Sequence, residues 1–147
     1  ANPGEPLEPL ARAASGGELS RVMLALRVVL GTRAGGGVLL FDEVDGGVGG
    51  AVADAVGARL RELAAHHQVL CVTHLPQVAA HADRHFRVSK RLEQGRTLAG
   101  IEPLTREGRI EELARMLGGQ RPTPASRRHA SELIAAAGQR AEAGREL

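Results

Sequence analysis

At 147 residues the chain is long enough for one domain of average size with a genuine core, and its 43% hydrophobic content excludes intrinsic disorder. A single cysteine, Cys71, excludes an internal disulfide and a multi-cysteine zinc site, and no apolar run reaches the roughly 18 residues of a membrane span. Charge is close to balanced, 19 basic against 17 acidic side chains, and with two Phe, no Tyr and no Trp there is no platform for stacking bases.

The first 14 residues hold three prolines and no helical period, and read as extended or looped. Their acids, Glu5 and Glu8, speak against a signal peptide, so the expected setting is reduced, soluble and cytoplasmic. From Leu19 the apolar residues Val22, Met23, Leu26, Val29 and Leu30 keep a helical period, which predicts an amphipathic helix stopping near Gly31. Residues 38–41, Val-Leu-Leu-Phe, form a short continuous apolar run, predicting a strand covered on both faces. A glycine-rich turn follows at 46–50. Residues 51–65 then predict a second helix with Val52, Val56, Leu60 and Leu63 on one side. Residues 69–72 predict a second buried strand, and 77–82 a short helix. Strands at 86–89 and 97–102 are expected to pair as a hairpin across Gln94 and Gly95. A helix striped by Ile110, Leu113, Ala114 and Leu117 and another over 126–143 close the chain. Strand and helix alternating at these spacings predict an α/β fold, a mostly parallel sheet flanked by helices.

Chemistry-bearing residues gather at the ends of these elements. Ser15-Gly16-Gly17-Glu18 is a capping box. Alone it would be only a helix start, but two glycines in a first turn weaken a helix and leave room for another molecule to approach bare amides, as a phosphate does. Asp42 and Glu43 end the first strand, where open α/β sheets bind ligands. Read blandly they are two solvated turn acids. Read functionally, Asp42 holds Mg²⁺ directly or through water, and Glu43 orients or deprotonates an attacking water. His74 ends the second strand and can face a γ-phosphate. The other five histidines, His66, His67, His81, His85 and His129, lack that placement and read as surface residues.

In order, ASGGELSR, VLLFDEVD and VLCVTH resemble the signature motif, the Walker B strand with its D-loop, and the switch histidine of ABC-type ATPase heads. Glu43-Val44-Asp45, where transporters of that superfamily carry Glu-Pro-Thr, resembles the SMC-like DNA-repair group. Within it, NPGEPLEPLARAASGGELSR, FDEVDGGVGG, CVTHLPQVAAHADRHF, ELARMLGG and HASELI resemble the RecN family of bacterial double-strand-break repair proteins, from about Asn2 to Ile134. Gly47, Gly49 and Gly50 depart slightly from its turn.

No stretch reads G-x-x-x-x-G-K-[ST], and the only lysine, Lys90, follows Val88-Ser89 rather than a phosphate loop. No heptad repeat of coiled-coil length is present. The resemblance implies that residues 1–147 are the C-terminal lobe of a split head, with the Walker A lobe and coiled coil elsewhere in the polypeptide. It further implies an ATPase using ATP and Mg²⁺, a homodimer of heads, and DNA as a partner, with no membrane and a location at the nucleoid. Ser15, Gly16, Gly17 and Glu18 would serve the opposite head's nucleotide, and Asp45 and Gly46, as D-loop, would lie at the dimer seam. The lobe alone is expected to hydrolyse essentially no ATP. Two other readings stand beside this one. One is a phosphohydrolase using Asp42, Glu43, Asp45 and His74 as metal ligands; the other is a non-catalytic interaction module. Residues 1–80 are net acidic and 81–147 net basic, which permits nucleic-acid contact. Arg84, Arg87, Lys90, Arg91 and Arg96 could form a patch or only a solvated face.

Overall fold

The computed structural model describes residues 15–30, 37–93, 95–119 and 121–143. Two compact units meet in sequence between His74 and Leu75. The expected lead-in at 1–14, the helix stop near Gly31, and Gln94 lie outside the described residues.

In the first unit, α1 (Gly16–Leu30) precedes β1 (Val38–Phe41), and α2 (Gly50–Ala64) precedes β2 (Gln68–Cys71). The strands pair in parallel, Val38 beside Gln68 through Phe41 beside Cys71. A parallel pair needs a crossover, and α2 supplies it. The core gathers Leu24, Phe41, Val44, Ala53, Val56, Leu60 and Leu63.

Two expectations fail here. The predicted stripe of α1 faces outward, with Val22, Met23, Leu26 and Val29 between 41% and 77% exposed, while Leu24 is the helix's buried large residue. The strands are covered on one face only: Phe41 is buried, but Val38, Leu40, Leu70 and Val72 are exposed. Period-2 alternation sends neighbouring side chains to opposite faces, so all four lie on the open one. Val52 likewise points outward, and the buried stripe of α2 starts at Ala53 instead.

The second unit holds α3 (Pro76–Ala80), β3 (Phe86–Glu93), β4 (Arg96–Pro103), α4 (Arg106–Gly118) and α5 (Pro124–Ala143). Leu113, Ala114, Ala130 and Ala137 interlock with Ala79 and Ala80 of α3 to form its core. Thr105 caps α4, accepting from the Gly108 amide at 3.1 Å. Gly119 at φ +84° ends that helix in a conformation suited to glycine. Helix α5 begins before the predicted 126 because Thr123 and Ser126 bond reciprocally across Pro124, a first-turn proline.

The hairpin is longer than predicted, with eight residues per strand in antiparallel register. Phe86, Val88, Leu92 and Ile101 share one apolar face of this ribbon and are all exposed, while Arg87 and Arg91 on the other face pair with Glu102 and Glu93. The architecture is therefore α/β with one parallel pair and one antiparallel pair among the described residues, less parallel than the sequence suggests. His81 is a further correction: it is 4% exposed, buried at the end of α3 rather than on the surface.

Candidate functional site

Because β1 and β2 are parallel and in register, both strands leave the sheet at the same end. Asp42 and Glu43 follow β1 there, and Thr73 and His74 follow β2. The turn after β1 alternates sharply. Asp42 and Glu43 are exposed, whereas Val44 is fully buried and Asp45 is 2% exposed. Glu43 adopts φ +56°, a left-handed conformation costly to a residue with a Cβ. The Gly46 amide donates to the Glu43 carbonyl at 2.9 Å, closing the turn.

Helix α1 docks its first turns onto this structure. Ser15 and Glu18 form the expected capping box. The Ser15 amide and hydroxyl donate to Glu18 Oε2 at 2.7 and 2.9 Å, and the Glu18 amide donates back at 3.4 Å. The Ser15 amide, then its hydroxyl, hold the Glu18 carboxyl below the usual carboxylate range. Ser20 Oγ donates to the Asp42 carbonyl at 3.0 Å. Arg21 Nη1 donates to the carbonyls of Gly46 at 2.6 Å and Val44 at 3.4 Å. Ser20 and Arg21 escaped the sequence reading as site residues, although both follow Gly17 at the three- and four-residue spacing that shares a helix face.

The two glycines of the Ser15–Glu18 turn differ in what they do. A Cβ on Gly17 would sit 2.9 Å from the Glu43 carbonyl oxygen and 3.1 Å from that of Gly46. Its bareness serves close packing within this chain, and the expected approach of a foreign molecule finds that side of Gly17 filled. Gly16 and Ser15 are exposed, and a Cβ on Gly16 would meet only the Glu43 carboxylate, at 3.1 Å. The first turn of α1 and the strand-end acids thus lie against one another.

Asp45 ties the two strand ends together. Its Oδ2 accepts from Thr73 Oγ1 at 2.5 Å and from the His74 amide at 3.0 Å, and lies 3.2 Å from His74 Nδ1. Burial pushes the Asp45 carboxyl up, but the Thr73 hydroxyl, the His74 amide and the nearby imidazole outweigh it, so the net shift is downward. The His74 side chain stays 76% exposed. Thr73 was read only as strand end, and nothing in its spacing marks it as a tether.

The four-ligand metal set read from Asp42, Glu43, Asp45 and His74 does not assemble. Among the described residues no group of three or more His, Cys, Asp or Glu side chains could hold a metal ion, and Asp45 is committed to Thr73 and His74. A single exposed Asp42 still suits Mg²⁺ that takes its other ligands from phosphate oxygens and water. No described helix is long and apolar enough to cross a membrane. In the second unit, Glu112 receives a two-pronged bond from Arg115 at 3.0 and 2.6 Å, far in sequence from these motifs.

No family model matches the chain. Three curated proteins described as DNA repair protein RecN are similar to it over nearly its whole length. The protein from Deinococcus radiodurans is 54% identical over 135 residues, 92% of this chain and 23% of that protein. The Bacillus subtilis protein is 46% identical over 138 residues, 94% and 24%. The Halalkalibacterium halodurans protein is 47% identical over 133 residues, 90% and 24%. The chain spans about a quarter of the length of the curated relatives it matches.

Proposed function

Since this chain belongs to the RecN family, we propose that it is one lobe of an SMC-like ATPase head acting in bacterial DNA double-strand-break repair. The observation that carries the reading is the convergence of three motifs. The Ser15–Gly17 turn, the Asp42–Gly46 turn and the Thr73–His74 strand end are joined by named bonds at one end of a parallel pair. That is where an α/β sheet offers its ligand site.

The division of labour follows from the chemistry. Glu43, exposed and held in a strained turn, orients and deprotonates the attacking water, a role worth about 10²–10⁴ in rate. Asp42 would hold Mg²⁺, which supplies charge neutralisation on the phosphates when bound. His74 faces the same γ-phosphate. The loop that cradles the triphosphate comes from a Walker A lobe elsewhere in the longer polypeptide. In a dimer of heads, Ser15 and the first-turn backbone of α1 complete the neighbour's site. Ser15 would there exchange its bond to Glu18 for a charge-assisted one to phosphate. Asp45 and Gly46 lie behind that turn, toward the seam between heads. ATP binding then joins heads and hydrolysis parts them, a cycle that governs how DNA ends or sister duplexes are held, in the cytoplasm at the nucleoid.

The open apolar faces of the first unit support a missing lobe. Val38, Leu40, Leu70 and Val72 on the sheet, and Met23 and Leu26 on α1, are large apolar side chains left exposed, of the kind a partner lobe covers. A groove of about 310 Å³ is lined by Leu19, Met23, Arg27, Leu39, Leu40 and Phe41. The test is made in a full-length head. Glu43→Gln is expected to bind ATP, stall hydrolysis and prolong head dimers in sizing experiments. A mutant no more dimeric than wild type removes Glu43 from the water-activating role. Ser15→Arg is expected to spare nucleotide binding and abolish cooperative dimerisation.

A further inference from the structure

The ring of His74 is tethered by one nitrogen to a carboxylate that the proposed reaction does not otherwise use. Asp45 Oδ2, almost fully buried, takes the Thr73 hydroxyl, the His74 amide and a position 3.2 Å from His74 Nδ1. An ionised carboxylate only accepts hydrogen bonds, so the nitrogen facing it must carry the hydrogen. A neutral imidazole with Nδ1 protonated has a bare Nε2, and the exposed ring leaves that atom the one to work with.

We infer that Asp45 is a positioning residue for His74: it fixes the Nδ1–H tautomer and makes Nε2 the atom presented to the reacting centre. Thr73 and the His74 amide brace the carboxylate so that it cannot swing away from the ring. This is how a carboxylate behind a working histidine sets tautomer and direction in other sites. What Nε2 meets rests on the ATPase reading; the tautomer does not. Neutral, the ring accepts a hydrogen bond from the attacking water. To donate to a phosphate oxygen from Nε2 it must carry a second ring proton.

The experiment is ¹⁵N NMR of the histidine ring nitrogens in the intact chain, at alkaline pH where the rings are neutral. His74 is expected as a single Nδ1–H tautomer in the wild-type chain and as a mixture in Asp45→Ala. A wild-type ring protonated on Nε2, or a folded Asp45→Ala chain with an unchanged tautomer, overturns the inference. Should Asp45→Ala fail to fold, the wild-type spectrum alone decides. A complete head that turns over no ATP while His74 keeps its Nδ1–H tautomer overturns the ATPase reading and leaves this one standing.

Discussion

Glu43 carries the strain of its turn and, in the proposed reaction, its chemistry. A non-glycine residue at φ +56° costs about 1 kcal/mol or more, and such strain is concentrated at working sites. Glu43→Gly is therefore expected to be neutral or to stabilise the chain by up to about 1 kcal/mol, and to abolish hydrolysis in a complete head. A substantial loss of stability on denaturant titration would mean that the Glu43 side chain holds the turn. Gly17 and Gly16, adjacent in the same motif, separate by experiment. Gly17→Ala drives a Cβ into backbone carbonyls and is expected to destabilise by about 1–3 kcal/mol, whereas Gly16→Ala displaces only a flexible carboxylate and is expected to be near neutral. Cys71 gives an independent check on burial at the strand end. Burial first, then the charges of Asp45 and Asp42, push its thiol up to about 12. It should resist alkylation in the folded chain at neutral pH and react on unfolding. At this scale the sequence was legible where a motif is local: the Ser15–Glu18 cap needs four consecutive residues. The role of Gly17 was not, because its partners, Glu43 and Gly46, come from a turn folded against it.

Element by element, pattern located the helices and strands and misjudged which faces are covered. The apolar stripe of α1 is real, yet the helix turns its Gly17, Arg21 and Leu24 side inward, because Ser20 and Arg21 donate to carbonyls of the turn after β1. Periodicity records apolar residues and is blind to such polar docking. In the second unit, the reading of His85 as a surface residue misses its surroundings. Burial, then Arg109, hold its imidazole below the usual value against the opposing pull of Glu112, and its Nδ1 is buried without a hydrogen-bond partner. A base whose folded pKa is depressed stabilises the fold only while neutral. Stability should therefore begin to fall as pH drops through about 6.5, the unfolded value. Glu112, held low mainly by its bond from Arg115, and Asp45 add a second loss at more acid pH, as each carboxyl approaches protonation. Denaturation midpoints across pH read both limbs, and His85→Gln should remove the upper one. Leu113, fully buried between α4 and its neighbours, sets the scale for packing. Leu113→Ala is expected to cost about 2–5 kcal/mol.

Across the whole chain, the exposures that contradict a two-faced strand point the same way as the sequence. The proposed γ-phosphate site stands in a chain with no G-x-x-x-x-G-K-[ST] loop, and Val38, Leu40, Leu70 and Val72 leave one face of its parallel pair exposed. The RecN resemblance was legible in longer segments such as NPGEPLEPLARAASGGELSR, FDEVDGGVGG and CVTHLPQVAAHADRHF. The open face was not, because an apolar strand reads identically whether its cover lies in this segment or in a partner. The most direct test of the account is steady-state ATP turnover by this chain alone, by the chain mixed with its Walker A lobe, and by the same mixture carrying Glu43→Gln. The account predicts turnover only in the wild-type mixture; appreciable hydrolysis by the isolated chain that Glu43→Gln abolishes would contradict it.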